Sequence, residues 1–260
     1  MTQARALDAV AAILVRARRI LFVTGAGISV DSGLPTYRGI GGLYHDRLTE
    51  DGLSIEEALS GEMMATRPEI AWRYIAEIEA SCRGALPNAA HRLIAALEQE
   101  KDMVCVLTQN VDGLHRAAGS RNVIEIHGTV HRLHCMACHH GRKVHDYAGL
   151  QIPPECPQCG GVMRPEVVLF GEALPGHALE RLEAVLEQGV DAVVSIGTTS
   201  VFPYIAGPVV WAARQGLPTV EINPGDTMVS GIVDWRLRMC AAEALPELWQ
   251  RMHPRDPAED

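Results

Sequence analysis

Five short apolar runs, each followed by small or polar residues, constrain the fold of this chain more than any other feature. The runs are ILFVTGAG (20–27), VCVLTQN (104–110), NVIEIHG (122–128), AVVSIGTT (192–199) and PTVEINPG (218–225). Helical patterns such as AAHRLIAALEQE and HALERLEAVLEQG separate most of them. Strands continuous in Val, Ile and Leu that alternate with helices indicate a parallel sheet covered by helices on both faces. The sequence therefore predicts an α/β fold built on a doubly wound parallel sheet.

The loops after these runs are rich in Gly, Asn, Asp, Thr and His, and ligands of open α/β sheets bind beyond the carboxyl ends of strands. In the first loop, Gly25 and Gly27 would let the backbone approach a pyrophosphate, and the next helix N-terminus would supply amide donors. The dehydrogenase fingerprint G-x-G-x-x-G fails because position 30 is Val. No strand ending in an acid follows about 20 residues later. Alone, the loop leaves a nucleotide site and an ordinary glycine turn both open.

Two stretches interrupt the alternation of strands and helices. Residues 41–85 have a helical pattern, and residues 131–164 are rich in Cys, His and Pro without a long apolar run. Both are predicted to be excursions from the sheet that form a smaller domain. The larger domain is then expected to contain residues 1–40, 86–130 and 165–250, and residues 251–260 are expected to be a disordered tail.

Four of the seven cysteines form two C-x-x-C pairs. Cys135 and Cys138 are followed after seventeen residues by Cys156 and Cys159. Two such knuckles place four thiolates around one metal ion, and a tetrahedral zinc site closed in this way is structural. The alternative is a chance occurrence of two unlinked pairs. The spacing favours a structural zinc ion that folds the second excursion.

The charge and hydropathy of the chain exclude several classes of partner. The net charge is −9, which offers no basic face to a nucleic acid or to an anionic membrane. No apolar stretch approaches the roughly 18 residues of a membrane span, and the N-terminus lacks the pattern of a signal peptide. We therefore expect a cytoplasmic protein that binds neither nucleic acids nor membranes. Its oligomeric state is left open.

Seven motifs occur along the chain in a fixed order. They are GAGISVDSGLPTYRG, TQNVDGLH, EIHGT, the two C-x-x-C pairs, RPEVVLFGE, GTTSVFP and EINPG. From about residue 20 to residue 248 this succession resembles the sirtuins of bacterial type, which are NAD-dependent protein lysine deacylases. The resemblance implies a Rossmann-like domain, a small domain made of a zinc ribbon and a helical module, and a cleft between them for NAD and an acyl-lysine peptide.

The resemblance also implies roles for individual residues. His127 matches the catalytic base of the family, and Asn110 is the second catalytic candidate. The residues that would bind NAD are Gly25, Ala26, Gly27, Arg38, Gln109, Asn110, Asp112, Gly197, Thr198, Ser200, Asn223 and Ala241. Met239 departs from the small residue usual in the adenine loop.

The chemistry implied by the resemblance suits these residue types. The acyl oxygen attacks the nicotinamide ribose, and a histidine of near-neutral pKa then deprotonates a ribose hydroxyl. The products would be lysine, nicotinamide and O-acyl-ADP-ribose. Protein mono-ADP-ribosyl transfer breaks the same glycosidic bond and is the alternative activity. A non-catalytic NAD sensor is disfavoured because it would not need His127.

Substrate contacts are expected from two segments. A strand edge formed by Val167, Val168, Phe170, Gly171 and Glu172 would pair with the substrate backbone. Ile75 and Ile78 stand where sirtuins specialised for succinyl and malonyl groups carry Tyr and Arg, and ordinary core residues are the alternative interpretation. The missing arginine predicts a preference for neutral acyl groups.

Overall fold

The computed structural model describes residues 2–36 and 48–254, and Arg38 therefore lies outside the described residues. Its strands are β1 (Arg19–Thr24), β2 (Met103–Thr108), β3 (Val123–Glu125), β4 (Gly128–Cys135), β5 (Gly141–Lys143), β6 (Met163–Val167), β7 (Ala192–Ile196), β8 (Thr219–Ile222) and β9 (Trp235–Leu237). Its helices are α1 (Gln3–Arg16), α2 (Ile55–Ala58), α3 (Gly61–Thr66), α4 (Pro68–Cys82), α5 (Ala89–Leu97), α6 (Leu114–Ala117), α7 (Gly176–Glu187), α8 (Pro203–Arg214) and α9 (Ala241–Met252). None of the helices in the described part of the chain has the length and hydropathy of a membrane span.

Six parallel strands form the main sheet, in the order β3-β2-β1-β7-β8-β9. The chain moves outwards from β1 on one side and from β7 on the other, so the topological switch point lies between these two strands. This order confirms the predicted doubly wound parallel sheet.

Helices cover both faces of the sheet because its central strands are apolar on both sides. In β1, Ile20 and Phe22 belong to the core beneath α1, α5 and α9, whereas Leu21 and Val23 belong to the core beneath α7 and α8. All four side chains are fully buried. Burial on both faces explains why this strand is a continuous apolar run in the sequence.

A smaller unit combines the antiparallel sheet β5-β4-β6 with helices α2 to α4. Trp72 from α4 is completely buried in its core and donates its indole N–H to the Met163 carbonyl at 2.8 Å. These helices lie between residues 55 and 82, within the stretch 41–85 for which the sequence predicted a helical pattern. Since β4 begins at Gly128 and β6 ends at Val167, the antiparallel sheet extends three residues beyond each end of the cysteine-rich stretch 131–164.

Candidate active site

Three glycines bring the loops after β1 and β7 into direct contact. The Gly25 N–H donates to the Ile196 carbonyl at 3.1 Å, and the Gly27 N–H donates to the Gly197 carbonyl at 2.8 Å. A Cβ atom on Gly27 would lie 2.7 Å from the Gly197 Cα atom. Gly197 has φ 59°, and a Cβ atom there would lie 2.4 Å from the Ile28 nitrogen. The glycines are therefore needed for the packing of the two loops at the switch point, besides any approach of a pyrophosphate.

Asn110 and Asp112 join this loop through Ser29. Asn110 Nδ2 lies 3.2 Å from both the Gly25 carbonyl and Ser29 Oγ, and Ser29 Oγ donates to Asp112 Oδ2 at 2.8 Å. The Leu114 N–H donates to Asp112 Oδ1 at 2.9 Å. Burial raises the pKa of Asp112, while these two hydrogen bonds act in the opposite direction. Ser29 was not among the predicted site residues, although it lies in the GAGIS motif.

Thr198, which follows β7, forms hydrogen bonds with residues that follow β2 and β8. Gln109 Nε2 donates to Thr198 Oγ1 at 2.7 Å, and Asn223 Nδ2 donates to the Thr198 carbonyl at 3.1 Å. The Ser200 N–H also donates to Thr198 Oγ1, at 3.1 Å. Ser200 Oγ is buried without a hydrogen-bond partner among the described residues. Such a hydroxyl fits the polar part of a ligand, because a buried polar group left unpaired is costly.

His127 lies in the turn between β3 and β4 and is half-buried. Its Nδ1 atom is 3.1 Å from the Gln109 carbonyl, and its Nε2 atom is 2.7 Å from the Tyr204 hydroxyl. Burial lowers the pKa of His127, against the opposing effect of the hydrogen bond to Gln109. A neutral imidazole of lowered pKa has the properties of a general base. Tyr204 was not predicted.

Two other predicted cofactor residues, Ala26 and Ala241, have side chains without polar atoms. Ala26 is half-buried at the start of a 3-10 turn, Ala26–Ser32. Ala241 is the first residue of α9 and is buried, and Met239 packs against the same core. A small cavity of about 20 Å³ lies beside Ala26, Ser29, Asn110 and Asp112. It has room for about one water molecule.

The segment predicted to bind the substrate, from Val167 to Glu172, begins at the last residue of β6 and forms hydrogen bonds with several neighbouring elements. The Val168 N–H donates to the His127 carbonyl at 3.0 Å, and the Phe170 N–H donates to the Leu59 carbonyl at 2.9 Å. The Glu172 carboxylate accepts from both terminal nitrogens of Arg164, at 2.6 and 2.9 Å, and from the Leu169 N–H. Glu172 therefore fixes the shape of this loop, and the side chain of Phe170 is 37% exposed.

Ile75 and Ile78 are 3% and 7% exposed in the core of the small unit. This burial agrees with the core interpretation. A side chain at the closed end of an acyl pocket is buried as well, so the pocket role of these residues stays a prediction.

Cys135, Cys138, Cys156 and Cys159 converge, and their sulfur atoms all lie within 4.8 Å of one another. The Cys135–Cys159 and Cys138–Cys156 pairs are 3.5 and 3.6 Å apart. A tetrahedral zinc ion with Zn–S bonds of about 2.3 Å would hold its sulfurs about 3.8 Å apart. Backbone N–H groups of Ala137, Cys138 and Gln158 point at two of the sulfurs. The four thiols fit a structural zinc ion.

The main sheet is doubly wound and parallel, polar side chains meet at its switch point, and a four-cysteine ribbon lies beside it. These features together define a class of protein, the Rossmann-like enzymes that bind a dinucleotide next to a zinc module. Within that class, the chain belongs to the Sir2 family, since the model of that family matches residues 25–203. The resemblance to sirtuins drawn from the motifs is thereby confirmed.

Individual relatives agree with this assignment. The chain is 48% identical to NAD-dependent protein deacylase 2 of Pseudomonas aeruginosa, over 92% of this chain and 94% of that one. It is 52% identical to NAD-dependent protein deacylase 2 of Pseudomonas syringae pv. tomato, over 92% and 97% of the two chains. A solved Sir2 homologue in complex with NAD superimposes with a TM-score of 0.83 at 35% identity, covering 94% of this chain and 93% of that one.

Proposed function

We propose that this protein is an NAD-dependent protein lysine deacylase that prefers neutral acyl groups. The observation that carries the proposal is the setting of His127 beside Gln109, at the edge where β1, β2 and β7 end. Membership of the Sir2 family and the relatives named NAD-dependent protein deacylase support the reaction class. Acyl-lysine proteins are the proposed partners, and the net charge of −9 argues against nucleic acids.

The residues at the sheet edge would hold NAD in defined places. Gly25, Gly27 and Gly197 would receive its pyrophosphate, and Ser200 and Asn223 would bind its phosphate and sugar oxygens. NAD, when bound, supplies a ribose carbon from which nicotinamide can leave. Each Asp112 oxygen already accepts one hydrogen bond and has capacity for another. Asp112 would therefore bind the carboxamide N–H₂ of nicotinamide, and His127 would take the proton of a ribose hydroxyl.

A single substitution separates these steps. Because the base acts on a ribose hydroxyl after nicotinamide has left, His127→Ala should lower the deacylation rate by about 10²–10⁴-fold. The same variant should still exchange labelled nicotinamide into NAD when an acyl-lysine peptide is present. His177→Ala is a matched control because His177 is exposed at the start of α7. Deacylation by His127→Ala at the wild-type rate would contradict the assignment of the base.

Mass spectrometry of the same reactions tests the alternative activity. A deacylase removes the acyl group from the peptide and releases O-acyl-ADP-ribose. A protein mono-ADP-ribosyltransferase would instead add one ADP-ribose to an acceptor protein.

The preference for neutral acyl groups rests on Ile75 and Ile78, where the specialised sirtuins carry Tyr and Arg, and two described arginines in or next to α4 are already paired. Arg73 in α4 forms an ion pair with Asp51 at 2.8 Å, and Arg83 just after α4 pairs with Glu79. Both guanidinium groups are thus engaged, and Ile75 and Ile78 offer only hydrocarbon. A buried succinyl carboxylate without a partner costs about 3–5 kcal/mol.

We expect kcat/KM for succinyl-lysine peptides to lie about two to three and a half decades below that for matched acetyl peptides. A series of acetyl-, butyryl- and succinyl-lysine peptides of one sequence provides the measurement. The double variant Ile75→Tyr, Ile78→Arg should narrow the gap by supplying a hydroxyl and a cation. Comparable succinyl and acetyl activity in the wild-type protein would refute the proposed pocket.

A further inference from the structure

The proposed base is in contact with an aromatic hydroxyl that neither the motifs nor the family assignment predicted. Tyr204, the second residue of α8, places its hydroxyl 2.7 Å from His127 Nε2. Its ring stacks on Phe202 at a centroid distance of 5.4 Å, and both rings meet the imidazole edge to face. The start of α8 thus places two aromatic rings against the imidazole, and the Tyr204 hydroxyl lies at its Nε2 atom.

The hydrogen bonds define the protonation of the imidazole. The Gln109 carbonyl can only accept, so Nδ1 of His127 carries the proton and donates it. In the neutral ring the lone pair then lies on Nε2, and the Tyr204 hydroxyl is its donor. We propose that Tyr204 is a positioning residue that occupies this lone pair in the free protein, fixes the orientation of the ring whose tautomer the Gln109 carbonyl sets, and yields its place to a ribose hydroxyl of NAD. The proposal rests on the proposed role of His127 as that base.

The ribose hydroxyl must replace the Tyr204 hydroxyl at His127 because Nε2 can accept only one hydrogen bond. Nε2 has one lone pair, so a ribose hydroxyl and the Tyr204 hydroxyl cannot both donate to it. A bound ribose hydroxyl would donate a hydrogen bond to Nε2, and its proton would pass to Nε2 as the hydroxyl oxygen forms its bond to the acyl carbon. The other proton would stay on Nδ1, which donates it to the Gln109 carbonyl. Burial raises the pKa of Tyr204, so the phenol keeps its own proton throughout. The imidazolium formed in this way carries the single proton that the sugar has lost.

Removal of the hydroxyl has a measurable consequence for His127. Among the described residues, the hydrogen bonds and aromatic contacts of its ring come from the Gln109 carbonyl after β2 and from Phe202 and Tyr204 at the start of α8, and of these groups only Tyr204 titrates. A donor to Nε2 stabilises the neutral ring, so its loss favours protonation. A net hydrogen-bond contribution of about 0.5–1.5 kcal/mol corresponds to a rise of about 0.4–1 in the pKa of His127.

The test is an NMR titration of the full-length, zinc-loaded protein, in which the His127 ring signal is assigned by its absence from His127→Ala. In the free protein, Tyr204→Phe should raise the pKa of His127 by about 0.4–1. With saturating ADP-ribose, which carries the ribose hydroxyls, the wild-type protein and the variant should show the same pKa. The control is Tyr147→Phe, which removes the hydroxyl that donates to the Val130 carbonyl in the small unit. This control should lower Tm and leave the pKa of His127 unchanged.

Two results would overturn the inference. One is an equal pKa of His127 in the free wild-type protein and free Tyr204→Phe, and the other is a difference that persists with ADP-ribose bound. Failure of the proposed function has a different signature, because it would appear as wild-type deacylation by His127→Ala.

Discussion

Gly27 illustrates how a single side-chain atom could disturb the site. It lies against Gly197, and the Cβ atom of an alanine would approach backbone atoms of that residue within 2.7 Å. Backbone cannot move aside as the end of a flexible side chain can, so the two loops would have to separate. We expect Gly27→Ala to cost about 1–3 kcal/mol of unfolding free energy and to weaken NAD binding as well. Urea denaturation and calorimetric titration with NAD measure the two effects.

Gly207 offers a matched control in the same fold. It lies within α8, and a Cβ atom there would meet no atom within 4 Å. Gly207→Ala should therefore stabilise the protein by roughly 0.5–1 kcal/mol, because alanine loses less backbone entropy in a helix. Unchanged stability and NAD affinity in Gly27→Ala would show that the loops tolerate separation and that their close packing is not required.

At the level of single residues, the sequence could predict which positions come together wherever the order and direction of the strands determine this. Gln109, Asn110, Asp112 and Thr198 were predicted from the resemblance to the family. They meet because they follow parallel strands, which all end at one edge of the sheet. The links between them were not predicted. Whether Ser29 reaches Asp112, or Tyr204 reaches His127, depends on rotamers and on the angle at which α8 leaves its loop.

Among the structural elements, the antiparallel sheet β5-β4-β6 depends on its cysteines in a way that the main sheet does not. The thiols of Cys138 and Cys159 are exposed and those of Cys135 and Cys156 are buried, so the zinc site ties the surface of the ribbon to the core of the small unit. Measured zinc-binding free energies of about 10–16 kcal/mol in zinc-finger peptides exceed the stability of most domains. Loss of the metal should therefore unfold the ribbon.

We expect Cys138→Ser to lose its zinc and to expose the amides of residues 128–167 to hydrogen exchange, while β1, β2 and β7 stay protected. Metal analysis and exchange mass spectrometry provide the two measurements. Cys240→Ser serves as the control because Cys240 is half-buried just before α9 and outside the cluster. It should retain one zinc ion per chain, and a stoichiometric zinc content in Cys138→Ser would contradict the tetrathiolate assignment.

The sequence predicted the long buried strands of the main sheet better than the short edge strands β5 and β9, because burial on both faces leaves a continuous apolar run. The apolar runs agree with β1, β2, β7 and β8 because each is buried on both faces and needs no alternation. β9 and β5, each three residues long, were not predicted. Their residues WRL and GRK carry no apolar run, and their pairing with longer neighbours decides that they are strands.

At the scale of the whole molecule, a buried pair of histidines links the main sheet to two helices. His91 is part of the capping box of α5, and Nε2 of His115 lies 3.0 Å from Thr24 Oγ1 at the end of β1. The two rings are 4.8 Å apart, and burial lowers the pKa of His91 to about 4 and that of His115 to about 3. Both residues are thus neutral in the folded protein at pH values where an unfolded histidine is charged.

The stability of the molecule should therefore fall on mild acidification. Between pH 6.5 and about 4 the unfolded chain binds protons at both histidines and the folded chain does not, so unfolding is favoured as the pH falls. Each histidine contributes a slope of up to about 1.4 kcal/mol per pH unit in this window. The two together make unfolding easier by up to about 3 kcal/mol for each unit of acidification.

Urea denaturation at pH 7, 6 and 5 measures this slope. His115→Gln replaces a titrating ring by a neutral amide that can still reach Thr24, so the dependence on pH should become shallower by about 1.4 kcal/mol per unit. His177→Gln changes an exposed histidine and should leave the slope as it is in the wild-type protein. If His115→Gln and the wild-type protein lost stability equally between pH 7 and 5, protonation of the unfolded chain at His115 could not be the cause.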